Sequence, residues 1–341
     1  MPLQFRRHPP RAVVTVDAPA RLHLGFLDPN ASLGRAFGSL GLVIDGPSTR
    51  IDARLAEHEQ IGGAAHDAER ERIAICLERL QAAYGPATLA IDVHHAPRAH
   101  TGLGSGTQLA LAVGAAFVRL LGRTATSAEL ANLLGRGARS GIGVLGFEAG
   151  GLLVDGGPSG GLHPGVPPLL ARQPFPDAWR ILLVSDHSRE GLHGAEERRG
   201  LAALAPFPQP LAAHLCHLVL MRILPGAAER NIVPFAHGLT ELQQTIGEYF
   251  APVQGGVFAS PDVERALRAV AAEHIAGIGQ TSWGPTGFAI VAGTREAESA
   301  LATARKATRG LPHIECTIVA GRNRGATIRA VDARQPHIDA A

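Results

Sequence analysis

The sequence predicts an α+β fold divided into two domains. A chain of 341 residues is too long for one small core and suits two domains of ordinary size. Segments rich in β-branched residues alternate with helix-like segments, which is typical of a sheet with helices packed on one face. A proline-rich stretch, HPGVPPLLARQPFP, separates the two halves near residue 175. We therefore expect one domain over 1–175 and a second over 176–341.

In the first half, RAVVTVDAP (11–19) and ATLAIDVHH (87–95) are predicted strands. ERIAICLERLQAAYG (71–85) is a predicted helix that ends at Gly85. Residues 108–121 form a helix that is apolar nearly all round, so it should be buried. TSAELANLLGRGA begins a further helix, with Thr126 or Ser127 as its N-cap.

The second half contains four predicted strands: WRILLVSD (179–186), TGFAIVAG (286–293), HIECTIVAG (313–321) and GATIRAV (325–331). Helices are predicted over 211–224, 235–250, 262–274 and 294–308.

Composition limits the possible functions. Hydrophobic residues make up 45% of the chain and charged residues 18%, which is typical of a globular protein. Aromatic residues are only 4% and the net charge is +2, so neither a stacking platform nor a basic surface for nucleic acid is expected.

Cysteine usage and hydropathy predict a cytoplasmic protein. The three cysteines have no disulfide or zinc spacing. The N-terminal stretch MPLQFRRHPPRAVVTV lacks the apolar core of a signal peptide. Residues 99–118 are uncharged, but their glycine and polar first half is unsuited to span a bilayer. No membrane association is expected.

A glycine-rich loop is the strongest functional signal. Gly102-Leu103-Gly104-Ser105-Gly106-Thr107 follows a predicted strand and opens the buried helix. Glycines let backbone N–H groups approach an anion, and the helix N-terminus adds partial positive charge. No Lys follows the last glycine, so the loop is not a Walker A motif. We predict an anion site here; a plain glycine turn is the alternative.

Two further glycine motifs differ in what they predict. Residues 141–146 fit G-x-G-x-x-G, the pattern of a Rossmann dinucleotide site. Such a site needs a strand before the motif, whereas a helical stretch precedes it here, so a dinucleotide site is disfavoured. Residues 279–287 crowd glycines, hydroxyls and Trp283 ahead of a strand, which favours ligand contact over a structural turn.

Three of these segments resemble one superfamily. DAPARLHLGF, the P-x-x-x-x-G-L-G-S-G loop and GQTSWGPTGFA are similar, in order, to motifs of the galactokinase, homoserine kinase, mevalonate kinase and phosphomevalonate kinase superfamily. The resemblance implies an N-terminal ribosomal protein S5-like domain and a C-terminal ferredoxin-like domain. This sequence differs from many of those kinases at Gly104-Ser105-Gly106-Thr107, where they have Gly-Ser-Ser-Ala. After Ser140, where several carry a catalytic Asp, no acid occurs until Glu148.

A closer resemblance is to the β-ribofuranosylaminobenzene 5′-phosphate synthase family, and it covers nearly the whole chain. It is carried by ARLHLGFLD, GLGSGTQLALAVG, GRGARSGIGVLGFEAGGLLVDGG, GLHGAEE, QGGVF and GIGQTSWGPTGFA. It implies a decarboxylating pentosyltransferase of methanopterin biosynthesis. Phosphoribosyl pyrophosphate would condense with 4-aminobenzoate or 4-hydroxybenzoate, releasing pyrophosphate and CO₂, with Mg²⁺ as cofactor.

This chemistry suggests roles for particular residues. Donors aimed at the departing pyrophosphate should contribute most, because negative charge grows there in an oxocarbenium-like transition state. Arg21 and Arg139 are expected to clamp a phosphate or carboxylate, with Ser140 as a third catalytic residue. Glu148 and Asp186 are candidate metal ligands. The expected substrate-binding residues are His23, Gly102, Leu103, Gly104, Ser105, Gly106, Thr107, Gln280, Ser282, Trp283, Gly284 and Thr286.

Two alternatives stay open beside the synthase. One is an ATP-dependent small-molecule kinase, which the missing acid after Ser140 disfavours. The other is a nonenzymatic binding protein, which the two glycine loops and the two arginines disfavour. A homodimer is expected in either enzyme.

Overall fold

A computed structural model describes residues 12–158 and 165–332. Residues 1–11 lie outside the described residues. They include most of the stretch from which no signal peptide is expected. The start of the proline-rich boundary segment, at 163–164, also lies outside the described residues.

The first half combines six strands with four helices. The strands are β1 (Ala12–Asp28), β2 (Phe37–Leu55), β3 (Gln60–Gly63), β4 (Leu89–His95), β5 (Leu152–Asp155) and β6 (Leu169–Gln173). The helices are α1 (Asp67–Tyr84), α2 (Ser105–Leu120), α3 (Ser127–Leu133) and α4 (Ile142–Glu148).

The second half has five strands and six α-helices. The strands are β7 (Arg180–Asp186), β8 (Gly277–Gln280), β9 (Thr286–Val291), β10 (Ile314–Gly321) and β11 (Thr327–Asp332). The helices are α5 (Gly194–Ala203), α6 (Gln209–Leu218), α7 (Leu224–Ala228), α8 (Ile232–Gln254), α9 (Pro261–Glu273) and α10 (Thr294–Ala307). A π-helical turn (Val219–Ile223) joins α6 to α7.

The strands form one 11-stranded sheet that runs through both halves, in the order β11-β1-β2-β10-β7-β9-β8. The long strand β2 pairs with β1 and β4 on the N-terminal side and meets β10 at Ile44 and Asp45. The predicted boundary near residue 175 falls between β6 and β7, but β11 crosses it to pair antiparallel with β1. The last strand therefore closes the sheet of the first half.

Helices cover both faces of the second-half strands, so the predicted single covered face is wrong. Ile181 and Leu183 of β7 point into a core shared with α6 and α8. Leu182 and Val184 alternate to the opposite face and pack against α9 and α10. A strand buried on both faces reads as a continuous apolar run, which is what WRILLVSD shows.

Most predicted elements are confirmed, and local chemistry explains their ends. Thr126 caps α3 in a capping box with Glu129, and Gly85 ends α1 with a positive φ of 98°. The predicted helix 211–224 is instead two helices joined by the π-helical turn. Pro225 lies in the first turn of α7, where its missing N–H costs little.

The stretch Gln209–Ala228, which includes the π-helical turn, is long and apolar enough to cross a membrane by length and composition. In the fold, Leu215, Leu218 and Ile223 are fully buried in the main core of the molecule. Its apolar character is therefore explained in part by packing.

Candidate active site

Three separate sequence motifs meet at Gly102. Its carbonyl oxygen accepts hydrogen bonds from Arg21 Nη1 on β1 (2.5 Å) and from Thr281 Oγ1 in the β8–β9 loop (2.8 Å). Thr281 Oγ1 in turn accepts a hydrogen bond from the backbone N–H of His23 (2.9 Å). The structure thus brings together the segments that the sequence singled out. Thr281, which is fully buried, is the residue that the sequence reasoning missed at this junction.

The glycine loop depends on left-handed backbone at two positions. Gly102 has φ +84° and Gly104 has φ +81°. A β-carbon at Gly102 would overlap the carbonyl oxygen of Thr281. A β-carbon at Gly104 would lie 3.0 Å from Cζ of Arg21. Glycine is required here both by conformation and by the close approach of neighbouring groups.

The loop leads directly into the N-terminus of α2. Gly104 is its N-cap, and no side-chain cap is present in the described part of the chain. The first N–H groups of a helix have no partner within the helix, so those of Ser105 and Gly106 are available to a ligand. Gly104 also accepts hydrogen bonds from the N–H groups of Thr107 (3.1 Å) and Gln108 (3.2 Å). This geometry suits a bound anion.

Three arginines surround this helix end. The guanidinium of Arg21 lies against Gly104, while Arg136 Nη1 and Arg72 Nη1 lie 3.8 and 3.9 Å from the position of a β-carbon on Gly106. Among the ion pairs of the described residues, none involves Arg21, Arg72 or Arg136. We name Arg21, Arg72 and Arg136 the arginine cluster.

Burial makes this positive charge costly without an anion. The Nε atoms of Arg21 and Arg136 are buried and have no hydrogen-bond partner within the described residues. Burial lowers the pKa of Arg21 to about 10. Burial, with the neighbouring charges of Arg72 and Arg79, also lowers the pKa of Arg136. Partly buried cations without an ion-pair partner among the described residues, beside free backbone donors, are a strong physical indication of a polyanion site.

Sequence reasoning missed Arg72 and Arg136. Arg72 lies on α1, far from the glycine motif along the chain, and no local pattern marks it. A weak signal existed for Arg136, since it sits between two glycines in GRGARSG, and arginines rarely repeat in a purely structural turn. Their approach to Gly106 depends on how α1 and α3 pack against α2.

A narrow cavity lies beside His23 and the neighbours of Thr281 in the chain, Gln280 and Ser282. Its lining includes His23, Phe26, Phe250 and Trp283, and its volume is about 30 Å³. The ring of His23 lies edge-on to that of Phe26, with 4.6 Å between centroids. Burial, reinforced by the charges of Arg21 and Arg139, lowers the pKa of His23 to about 3. His23 is therefore a neutral imidazole, and its Nε2 is buried without a partner among the described residues.

Four other predicted binding residues lie in or next to the β8–β9 loop, and their side chains have different surroundings. Gln280 is occupied internally, because its side chain accepts from Ala259 N–H and donates to Gln254 and Ser282. Ser282 is exposed and holds a left-handed backbone with φ +56°, which is uncommon for a residue with a side chain. Gly284 (φ +33°) lies beside the Gln280 side chain. Thr286 is fully buried and bonds Ser185 Oγ (3.1 Å), so it lies away from the loop surface.

The sequence reasoning expected Arg139 to clamp a phosphate or carboxylate of the substrate. In the structure Arg139 forms an ion pair with Glu197. Its Nη1 and Nη2 donate to Glu197 Oε1 and Oε2 at 2.6 and 2.8 Å. Trp283 Nε1 donates to the same Oε1 at 2.9 Å. Glu197 lies on α5, which GLHGAEE leads into, and its role in linking Arg139 to Trp283 was missed.

Ser140 is positioned by a buried carboxylate. Its Oγ donates to Asp155 Oδ2 (3.2 Å), and the same oxygen accepts from Gly141 N–H (2.8 Å). Asp155 is fully buried, and burial outweighs these hydrogen bonds and raises its pKa. Gly143, in the first turn of α4, faces Thr107: a β-carbon there would lie 3.1 Å from Thr107 Cγ2. No acidic side chain can project from this position toward the glycine loop.

Neither candidate metal ligand fits. Glu148 is exposed at the last residue of α4. Asp186 is buried, and its oxygens accept from Ser188 Oγ (2.6 Å) and Ser260 Oγ (2.7 Å). Burial alone would raise its pKa, but these hydrogen bonds lower it below the usual value. Within 12–158 and 165–332 no cluster of three or more His, Cys, Asp or Glu side chains suits a metal ion.

Glu69 is a buried carboxylate on the same helix as Arg72 that the sequence reasoning overlooked. It lies in the first turn of α1, one turn before Arg72, and is only 8% exposed. Its Oε2 is buried without a hydrogen-bond partner in the described part of the chain. Its charge acts on His100, whose Nε2 contacts Arg72 Nη2 at 3.0 Å.

Comparison with known proteins identifies the family of this chain. Residues 71–151 match the GHMP kinases N terminal domain, which spans the glycine loop and Ser140. A protein of Archaeoglobus fulgidus named beta-ribofuranosylphenol 5′-phosphate synthase is 34% identical over 288 residues, covering 80% of this chain and 86% of that protein. The chain belongs to the beta-ribofuranosylphenol 5′-phosphate synthase family. A relative of the same name from Methanothermobacter thermautotrophicus is 29% identical and covers 91% of this chain and 97% of its own length.

Solved structures share the fold of this synthase family member. Homoserine kinase from Cytophaga hutchinsonii matches with a TM-score of 0.68 at 16% identity, covering 96% of this chain and all of that one (100%). Mevalonate pyrophosphate decarboxylase from Streptococcus pyogenes matches with a TM-score of 0.64 at 13% identity, covering 91% and 97%. The predicted family, the α+β fold class and the assignment as an enzyme are confirmed.

Proposed function

We propose that this protein condenses phosphoribosyl pyrophosphate with 4-hydroxybenzoate or 4-aminobenzoate, forming a carbon–ribose bond and releasing pyrophosphate and CO₂. One observation carries the proposal. The Thr281 hydroxyl, which donates to Gly102 O and accepts from His23 N–H, links the glycine loop beside the arginine cluster to the strand that carries His23. His23 lines a cavity together with Phe26, Phe250 and Trp283. A pyrophosphate-bearing sugar and an aromatic acid are the two ligands that such neighbouring sites suit.

The leaving group belongs at the arginine cluster. As the bond from the anomeric carbon to pyrophosphate breaks, negative charge grows on the departing oxygen. The N–H groups of Ser105 and Gly106 and the side chains of the arginine cluster are already in place to stabilise it. Their positions require no rearrangement during the reaction, which is where a preformed site lowers a barrier most.

The aromatic acid belongs at the cavity beside His23. A volume of about 30 Å³ is too small for a whole ring and admits one edge of it. With the para substituent inserted between Phe26 and Phe250, ring carbon 1 and its carboxylate remain outside, toward the glycine loop. That carbon is the one that attacks the sugar.

The bond changes need no strong base. Ring carbon 1 forms the new carbon–carbon bond while pyrophosphate leaves with the electron pair of the broken bond. Loss of CO₂ then returns an electron pair to the ring and restores its aromaticity. This agrees with Gly143, which places no carboxylate opposite Thr107.

Magnesium fits this site only as a companion of the phosphates. Mg²⁺ is commonly held by one or two carboxylates together with substrate phosphates. Glu69, whose Oε2 is buried and unpartnered within the described residues, would hold it together with the substrate phosphates. When bound, Mg²⁺ neutralises charge on the pyrophosphate.

The biological setting follows from the same proposal. We place the reaction in methanopterin biosynthesis and the protein in the cytoplasm, as a homodimer. The family relatives and the low net charge of +2 support a role on small molecules rather than nucleic acid. Sedimentation of the purified protein measures the number of subunits.

Carboxyl-labelled substrate tests the reaction. Purified protein with Mg²⁺, phosphoribosyl pyrophosphate and labelled 4-hydroxybenzoate should release labelled CO₂ and pyrophosphate in equal amounts. The product should resist acid, because it holds a carbon–ribose bond. Pyrophosphate release with the label kept in the product would mean attack by oxygen or nitrogen and would contradict the proposal.

The kinase alternative is tested in the same assay. An ATP-dependent kinase of the same fold would turn over ATP with a small alcohol and release no CO₂. The arginine cluster, without a carboxylate facing Thr107, favours the pyrophosphate-releasing reaction.

A further inference from the structure

The glutamine side chains that line the cavity beside His23 are already occupied. Gln243 donates to Leu24 O and accepts from Gln280 N–H. Gln254 donates to the carbonyl oxygens of Gly256 and Val257, and its Oε1 accepts from Gln280 Nε2. His23 Nε2 is the buried atom in this lining that has no partner in the described part of the chain.

With the ring proton on Nδ1, the unpartnered nitrogen of His23 acts as an acceptor. Nε2 has no hydrogen-bond partner among the described residues, and we place the single proton of the neutral ring on Nδ1. A ring whose Nδ1 carries the proton leaves a lone pair on Nε2. The backbone of His23 is fixed on both sides, since its N–H bonds Thr281 Oγ1 and its oxygen accepts from Ser282 N–H (3.2 Å). The lone pair is thus held in a buried, apolar surrounding.

We propose that His23 Nε2 recognises the para hydroxyl or amino group of the aromatic substrate and acts as its proton acceptor during carbon–carbon bond formation. This inference rests on the proposed function. A buried acceptor without a partner is costly unless a ligand supplies a donor. The para O–H or N–H is the donor that enters the narrow end of the cavity.

A weak base suffices because of the intermediate. When ring carbon 1 bonds to the sugar, electron density moves from the para oxygen into the ring, and the para O–H becomes that of a protonated ketone. Such a group is strongly acidic, so a neutral imidazole of low basicity takes its proton. The carbon–carboxylate bond then breaks, CO₂ leaves, the ring regains its electron pair, and Nε2–H returns the proton to the para oxygen. His23 ends the cycle unchanged, and every proton and electron pair is accounted for.

The charges around His23 affect how easily Nε2 holds the proton taken from the substrate. Arg21 and Arg139 both lie near His23 and disfavour its protonation in the free protein. Glu197 partly offsets Arg139. The anionic substrates bring negative charge beside these arginines, so the proton becomes easier to hold when both are bound.

The test compares two substrates and two variants. 4-Hydroxybenzoate has a para proton to lose, whereas 4-methoxybenzoate has none. His23→Leu should lower kcat for 4-hydroxybenzoate by about 100-fold, typical of losing a general base, and leave any rate with 4-methoxybenzoate nearly unchanged. Phe250→Leu is the matched control in the same cavity, and it should lower both rates alike. Melting temperature checks that each variant is folded.

Binding provides a second readout. In calorimetry with pyrophosphate present, the native protein should bind 4-hydroxybenzoate about fivefold more tightly than 4-fluorobenzoate, as one hydrogen bond predicts. His23→Leu should abolish that preference. His23→Gln should restore it, since an amide oxygen accepts a hydrogen bond, but should not restore kcat, since an amide does not take up a proton.

The outcomes separate the two proposals. If the native protein releases no CO₂ from 4-hydroxybenzoate, the proposed function fails. If the native protein is active and His23→Leu keeps both its kcat and its preference for the hydroxyl, the role of His23 is refuted while the function stands. A parallel loss with both substrates would also refute it and leave His23 as a purely structural residue.

Discussion

Arg139 and Glu197 form a two-pronged ion pair in which both terminal nitrogens of the guanidinium donate to the carboxylate, at 2.6 and 2.8 Å. Glu197 lies on α5, a helix without a buried residue, and also accepts the indole N–H of Trp283. The pair therefore ties an otherwise weakly anchored helix to the loop before α4 and to the β8–β9 loop.

Breaking this pair should reduce stability. Arg139 is about one-third exposed, so we expect a coupling energy of about 1 kcal/mol rather than the larger value of a fully buried pair. A double-mutant cycle with Arg139→Ala and Glu197→Ala, followed by denaturant unfolding, measures it. Pyrophosphate affinity should change little in Arg139→Ala. A stable variant with lost affinity would instead place Arg139 on the substrate.

Gly104→Ala should abolish pyrophosphate binding while the chain stays folded. The new methyl group would press on the Arg21 guanidinium, and a left-handed residue with a β-carbon costs about 1 kcal/mol. Gly310→Ala is the matched control, because Gly310 has the same φ of +81° and no atom within 4 Å of the added carbon. The two variants should lose similar stability, but only Gly104→Ala should lose affinity in calorimetry. Equal affinities would contradict the anion assignment.

The arginine cluster should favour pyrophosphate binding and lower the stability of the ligand-free protein. Arg136→Gln and Arg72→Gln should each weaken pyrophosphate binding by about 1.5–3 kcal/mol, the usual worth of a charged hydrogen bond. Their melting temperatures without ligand should stay the same or rise, because like charges are removed from a partly buried site. Arg119→Gln, on an exposed position of the same helix α2, should leave both quantities unchanged. A variant that loses stability in step with affinity would indicate a structural role.

Acid should destabilise the native protein through His23. Its pKa is about 3 when folded, against about 6.5 in an unfolded chain. Because the folded value is depressed, the contribution of neutral His23 is complete above pH 6.5 and is lost as the pH falls toward 3. In that window the free energy of unfolding should fall by up to about 1.4 kcal/mol per pH unit more steeply than in His23→Gln. Identical slopes in the two proteins would contradict a neutral buried His23.

Ser140→Ala should affect folding more than chemistry. Ser140 Oγ bonds Asp155, so its loss should cost about 1 kcal/mol, the net worth of one hydrogen bond. Turnover at saturating substrate should stay within about threefold of the native rate, a difference of less than 1 kcal/mol in the barrier. A fall in kcat of two orders of magnitude, with normal stability, would return Ser140 to the catalytic residues.

Local patterns in the sequence were sufficient for much of this fold. The buried character of α2, the cap at Thr126 and the strand β7 each depend on neighbouring residues, so they can be read along the chain. The strand β2 was not predicted, because its glycines, proline and serines resemble a turn. Pairing with β1, β4, β5 and β10 overrides that weak local preference.

Some features of the candidate site can likewise be predicted from local sequence, and others cannot. The sequence by itself predicted the glycine loop and the helix that follows it, since these create free backbone donors locally. Only the tertiary structure decided which side chains surround it. Arg72, Arg136 and Glu69 come from distant segments, Arg139 turned out to pair with Glu197, and Asp186 with Ser260. Side-chain electrostatics depend on distances of a few ångströms between residues far apart in the chain, and those distances are fixed only when the helices pack on the sheet.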